Sequence, residues 1–386
     1  MRKVLLFCLL AATAFALLAG TATARTAKGV VCGSTLTKSV KLTKNLNCKG
    51  NTATAGLTVG ADGITINLNK YAIIGPGSSY GLAGISNPNG YSVTIKNGAI
   101  KNFYYGYYSQ GAHGETVSKL RVLPGGSKSY YGIYVSNGGN NTYSLNNVSN
   151  AAYGIVNQSS DAPNTFTNNT LNGNGYGGYD SNASAVQNTW TKNDFSHNTG
   201  SGFYGYIGGA ILTSNKATYN GGDGFYLNCA GYAPVDVEGN TASHNGGDGF
   251  ESYSCSEAPA TAGTRSVLAS GSTFKSNKAD HNVSSGFVAI DDENATFTLN
   301  TATVNSAYGF YFAQAVGDTI TSNASTSNLA DGFYFDTGAG TYYPSLVDSN
   351  SSSSNHAWGF DADTPVTGSN DTGSANTSGL FNNVTG

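Results

Sequence analysis

Large apolar side chains recur along this chain at two fixed places in each stretch of roughly 24 residues. The first follows a glycine: Phe203 after Gly202, Phe225 after Gly224, Phe250 after Gly249, Phe287 after Gly286, Phe310 after Gly309 and Phe333 after Gly332. On the same anchor, earlier copies place Tyr107, Ile133, Ile155 and Tyr179 there, and later copies place Phe360 and Leu380. One residue further on comes a mixed set that includes Tyr108, Tyr134, Asp180, Tyr204, Tyr226, Glu251, Val288, Tyr311, Tyr334 and Asp361. A strand alternates its faces with period two, so the first set is predicted to point inward and the second outward. The second apolar place lies upstream, at Phe166, Trp190, Leu212, Val237, Phe274, Phe297, Ile320 and Val347. Threonines flank many of these, as in Thr296-Phe297-Thr298, which is the pattern of a half-buried strand with a hydroxylated outer face.

Between the two strands runs Asn-x-Ala-x-x-Asn, with Ala217, Ala242, Ala279 and Ala302 at the centre. The alanines fit a narrow inward place on a third short strand. The asparagines fit the corners, where Asn tolerates left-handed backbone and can bond its equivalents along a stack. The predicted fold is all-β: a right-handed parallel β-helix solenoid of three short strands per coil of about 24 residues. About 14 coils, one strand spacing apart, give a rod around 65 Å long. Propeller blades need a longer period, and leucine-rich repeats need a leucine framework that is missing.

The ends read differently. Residues 1–24 have the form of a secretory signal peptide: Arg2 and Lys3, an apolar run from Val4 to Leu18, then Ala22-Thr23-Ala24. That run is too short for a membrane span, so a secreted mature chain with no membrane segment is expected, in the extracellular space, at the cell surface or in the periplasm. Residues 25–56 are expected to cap the solenoid, 57–381 to form it, and 382–386 to trail from it. Of five cysteines, Cys8 lies in the leader; Cys32–Cys48 and Cys229–Cys255 are predicted disulfides, the second between near-equivalent places in successive coils.

The net charge is −3 and 11% of residues are charged. A nucleic-acid partner, which needs a basic footprint, is therefore not expected. At this point the repeat resembles that of secreted and periplasmic parallel β-helix proteins, a pectate-lyase-like superfold. The segment Ala61-Asp62-Gly63-Ile64-Thr65-Ile66-Asn67-Leu68-Asn69 is similar to the rungs that open many of them. The resemblance covers roughly 57–381. It implies the fold, and a set of activities that includes pectate and alginate lyases, C5-epimerases and polygalacturonases. The polygalacturonase motifs are not matched, and no catalytic residue is carried over. The resemblance also extends to a periplasmic accessory protein of copper-enzyme maturation, but with a single Met and few Cys copper handling has no support beyond the shared fold.

Candidate chemistry gathers where the repeat breaks. Gly249 and Gly286 are 37 residues apart, and the insertion holds Glu251, Tyr253 and Arg265. A carboxylate, a tyrosine and an arginine are the parts needed for lyase- or epimerase-type chemistry at an acidic sugar. Glu251, Tyr253, Arg265 and Tyr226 are thus the catalytic candidates. Tyr204, Tyr206, Tyr311 and Tyr334 are expected to bind glycan. His244 and His281 join His197 and Tyr219 on a line five residues before the glycine, as substrate ligands, a proton relay or metal ligands. Asp223, Asp248, Asp291 and Asp292 could hold Ca2+, although no cofactor is required. The expected partner is an extracellular polysaccharide, bound or processed. A non-catalytic surface or adhesion rod is the alternative, and an ice-binding threonine face, interrupted by Asp236, Glu238 and Lys275, is a minor one. Oligomeric state is left open.

Overall fold

The computed structural model describes residues 29–123, 130–182, 186–229, 233–255, 271–338 and 344–385. The chain winds as the expected right-handed parallel β-helix, every strand pairing in parallel with its equivalents one coil before and after. Three faces result. The aromatic face is built from strands such as Phe203–Ile207, Phe225–Asn228, Phe250–Tyr253, Phe287–Ile290 and Phe310–Ala313. The threonine face holds Thr189–Thr191, Thr273–Lys275 and Thr296–Thr298, and the alanine face Lys216–Thr218, Thr241–Ser243 and Lys278–Asp280. Coiling already begins at Ser34–Leu36, which pairs with Leu57–Val59, and continues to Gly379–Thr385. Among the described residues no helix is long and apolar enough to cross a membrane. Residues 1–24 lie outside the described residues.

The core is a set of one-residue-wide stacks running along the rod. Phe225, Phe250, Phe287, Phe310, Phe333 and Phe360 are buried and stack ring on ring at 4.6–4.9 Å, a separation set by the strand spacing. The glycine ahead of each phenylalanine lets the alanine face close in. A Cβ on Gly224 would lie 2.6 Å from both the Ala242 Cβ and the Gly249 carbonyl oxygen.

Two corners are tied by asparagine ladders. In one, the Asn215 Nδ2 donates to Asn240 Oδ1, Asn240 Nδ2 to Asn277 Oδ1, and Asn277 Nδ2 to Asn300 Oδ1, at 3.0–3.1 Å. In the other, Asn220, Asn245, Asn282, Asn305 and Asn328 do the same. The left-handed backbone expected of these asparagines belongs instead to the residue just before each: Ser214, Tyr219, His244, Ser276, His281 and Leu299 all have φ of 54–58°. Each such residue costs of order 1–2 kcal/mol, and the ladder bonds that follow offset it.

One coil departs from the expected register. Gly177, not Gly178, is the structural anchor, since Gly178 pairs with Phe203 and Tyr179 with Tyr204. Tyr179 therefore faces outward. Asp180 is fully buried and accepts hydrogen bonds from Trp190 Nε1 (2.8 Å) and Asn157 Nδ2 (2.9 Å). Consecutive glycines offer two anchors, and the rings of Phe195 and Phe203 fill the space inside Gly178, each 2.9 Å from where its Cβ would lie. Cys32–Cys48 and Cys229–Cys255 are bonded, with Cα–Cα distances of 5.4 and 4.7 Å. Disulfides of this kind belong to an oxidising, extracytoplasmic compartment.

Candidate functional site

Three columns of side chains point outward from the aromatic face. The middle column runs Tyr179, Tyr204, Tyr226, Glu251, Val288, Tyr311, Tyr334. A second column, on the residue before the glycine, runs Ser201, Asp223, Asp248, Ser285, Tyr308, Asp331, each fixed by an amide-to-carbonyl bond between adjacent coils. The third carries Tyr206, Asn228, Tyr253 and Ile290.

Rings of the middle column stack along the rod: Tyr179 on Tyr204 at 5.8 Å, Tyr204 on Tyr226 at 4.6 Å, Tyr311 on Tyr334 at 5.6 Å. Inside such a ladder the ring faces are occupied by neighbours, and only edges and hydroxyls meet solvent. The Tyr204 and Tyr206 hydroxyls lie 3.1 Å apart, and those of Tyr311 and Tyr334 donate to Asp336 and Asp363. Tyr204, with a ring on either side, is therefore not a free platform for a sugar ring, whereas Tyr334 has Tyr311 on one side and Asp361 on the other. The ladder stops at Glu251 and Val288. Tyr226 turns one ring face toward that break, and Tyr311 turns one toward it from the other side. The break is three strand spacings long, about 14 Å. Asp223, Asp248 and Ser285 lie beside it in the neighbouring column.

The carboxylates here are shaped by their neighbours. Asp223 Oδ1 accepts the amide of Asp248 (2.9 Å), and Asp248 Oδ1 accepts the amide of Ser285 (2.6 Å). Each Asp thus bridges to the next coil through one oxygen. Glu251 is half-buried, and burial first, then the charges of Asp223 and Asp248, push its pKa up to about 7. Asp248 is raised mainly by burial, as is Tyr226, to which Glu251 adds a smaller push. One oxygen from each of Asp223, Asp248 and Glu251 lies within 4.8 Å of the others. That spacing suits a hard divalent cation, which would draw its remaining oxygens from water or a glycan.

The structure separates the other candidates. Tyr253 is exposed on the third column, one coil after Asn228. Arg265 lies outside the described residues. Asp292 points inward, accepting from Ser252 Oγ (2.6 Å) and the Cys255 amide (2.7 Å), so it anchors the base of the insertion and is not grouped with Asp223 and Asp248. Asp291 occupies a left-handed corner beside it, with φ of 54°. His244 and His281 project from the corner between the alanine and aromatic faces. Their rings stack at 4.9 Å, continuing Tyr219 and His197, with Nδ1 of each held by Ser243 or Asp280. Sequence reasoning missed the buried Glu115. Its carboxylate accepts from Tyr107, Tyr143, Ser109 and Asn87, and nothing local in the pattern marks it as inward.

Residues 187–371 match the family model described as right handed beta helix region, and residues 22–192 match the model described as periplasmic copper-binding protein (NosD). No curated protein matches. Among solved structures, the chain is similar to the Azotobacter vinelandii mannuronan C-5 epimerase AlgE4 A-module at 14% identity and TM-score 0.52, over 84% of this chain and 88% of that one. It is similar to the periplasmic alginate epimerase AlgG at 14% identity and TM-score 0.54, over 85% and 77%. It is similar to the Dettilon tailspike protein at 12% identity and TM-score 0.52, over 82% of this chain and 63% of that one. At such identities the likeness is one of fold. The chain has the right-handed parallel β-helix fold, and residues 187–371 carry the match to the model of that region.

Proposed function

We propose that this protein engages an extracellular polysaccharide on its aromatic face, at the break between Tyr226 and Tyr311. The observation that supports the reading is the interrupted ladder: two tyrosine faces turned toward one another across about 14 Å, with Glu251, Asp223 and Asp248 between and beside them. Aromatic faces receive the apolar side of a sugar ring while carboxylates accept its hydroxyls. The fold-mates named as alginate epimerases agree with a polysaccharide partner at the level of fold.

A second, catalytic reading draws on Glu251. With a pKa of about 7 it is divided between acid and base at neutral pH, the condition under which a carboxyl group moves protons most effectively. It would take the proton beside a uronate carboxylate, and the Tyr226 hydroxyl, one coil away, would serve the leaving oxygen or the opposite sugar face. A calcium ion between Asp223, Asp248 and Glu251 would neutralise the uronate, at the expense of Glu251 as a base.

A glycan array read together with product analysis on uronate polymers, with and without calcium, tests both. Retention without product, lost in Tyr226→Ala, supports binding alone. Product formation abolished by Glu251→Gln supports catalysis. A protein that retains no glycan defeats the proposal.

A further inference from the structure

Charge is segregated along the rod. Residues 29–123 hold nine lysines and arginines against two acids, Asp62 and Glu115, whereas residues 279–385 hold eleven acids and no lysine or arginine. The basic groups of the first coils gather on one side. Lys41 pairs in register with Asn67, Asn67 with Lys96, and Lys96 with Ser118. Lys101 and Arg121 lie on the same two coils as Lys96 and Ser118, past the next corner. At that corner Lys70 and Lys119 are exposed, with left-handed φ of 70° and 54°, and with Asn69, Asn97 and Gly98 they line a concavity of about 430 Å³. Neither acid is placed to neutralise them. Asp62 accepts the Ser92 amide, and Glu115 is buried beneath Tyr107 and Tyr143.

We propose that this face of the first coils is a second binding surface, and that its ligand is an acidic polysaccharide. The proposal rests on the polysaccharide reading above and names the chemical class. Lysines repeated at multiples of the strand spacing suit an extended chain bearing carboxylates at intervals, and the asparagines between them suit its hydroxyls. Nucleic acid fits less well. A duplex long enough to use the patch would run toward the acidic end of the rod, and single strands need aromatic platforms that the corner lining does not supply. The acidic far end also sets a direction, holding a polyanion at the basic end.

The test is affinity for polygalacturonate against neutral dextran, at low salt and at about 0.5 M salt, for the full chain and for Lys70→Gln/Lys96→Gln/Lys119→Gln. The expected result is preference for polygalacturonate, weakened by salt, and at least about a tenfold loss in the triple variant with an unchanged melting temperature. Unchanged affinity in the triple variant overturns the proposal, as does equal affinity for duplex DNA or anionic vesicles, which marks a generic polycation. Retention of neutral glycan alone sinks this proposal and leaves the break on the aromatic face standing. Polygalacturonate binding lost in the lysine variant but kept in Tyr226→Ala does the reverse.

Discussion

The asparagine ladder makes a quantitative prediction at Asn245. Its Nδ2 donates to Asn282 Oδ1 at 3.0 Å and to the Ala217 carbonyl at 3.1 Å, while its Oδ1 accepts from the Asn220 amide at 3.1 Å and Asn220 Nδ2 at 3.0 Å. Asn245→Ala removes four buried bonds and leaves two Asn220 donors without an acceptor. At about 1 kcal/mol per bond, with orphaned buried donors at the upper end of that scale, the loss is about 4 kcal/mol. The residue before it, His244, keeps its left-handed backbone cost with less to offset it. A solenoid need not unfold in one step, so the sensitive assay is native-state hydrogen exchange of the coils from residue 215 to 305. Opening free energies should fall by about 4 kcal/mol there and less with each coil away. Ser243→Ala, at an outward place on the strand Thr241–Ser243 just before that corner, should change them by less than about 0.5 kcal/mol. A loss under about 1 kcal/mol in Asn245→Ala would refute the ladder as the main tie between coils.

Further outcomes follow from single groups. Burial raises the folded-state pKa of Asp180 and Asp292 to about 6, so their stabilising share is complete below the unfolded value and is lost as pH climbs through 6. Each shift corresponds to about 3 kcal/mol, so the melting temperature should fall between pH 4 and pH 7, and a rise across that window would contradict the assignment. Asp318 is buried with one oxygen unpartnered, and it accepts the Ala295 amide as Asn164 accepts that of Asn141. Asp318→Asn should therefore stabilise the protein more at pH 7 than at pH 4, as read by paired melting curves. Gly224→Ala forces a Cβ against Ala242 and should cost about 1–3 kcal/mol in denaturant titration, whereas a neutral result would mean that the alanine face can retreat. Replacing Cys229 and Cys255 by Ser should cost about 2–4 kcal/mol in denaturant titration, and an unchanged midpoint would mean that the bond does not constrain the coils it joins.

The coil was legible because each inward column is chemically uniform: phenylalanine after glycine, alanine between asparagines. Asp223 and Asp248 were legible as a column for the same reason, and Glu251 follows three residues after Asp248. Other features depend on facts a linear pattern does not carry. Gly177-Gly178 presents two equal anchors, and only the volume of the interior decides between them. The left-handed corners fall on Ser214 or His244 because the following asparagine must aim its side chain along the rod, which is a three-dimensional demand. Of the tyrosines read as sugar platforms, Tyr204 has both ring faces taken by Tyr179 and Tyr226. The break in the ladder arises from two successive places without a ring, Glu251 and Val288, which gain meaning only when the tyrosines on either side are seen to stack on their own neighbours.

The central claim is that glycan is held between the two ring faces bordering that break in the ladder. Calorimetric titration of the best glycan from an array against Tyr226→Ala/Tyr311→Ala, with Tyr131→Ala/Tyr153→Ala as the control from the continuous stack Tyr105–Tyr131–Tyr153–Tyr176 on the same face, tests it most directly. The account predicts that the first variant loses at least about 2 kcal/mol of binding and that the control binds as the native protein does. Equal affinity in all three proteins, or a larger loss in the control, would contradict it.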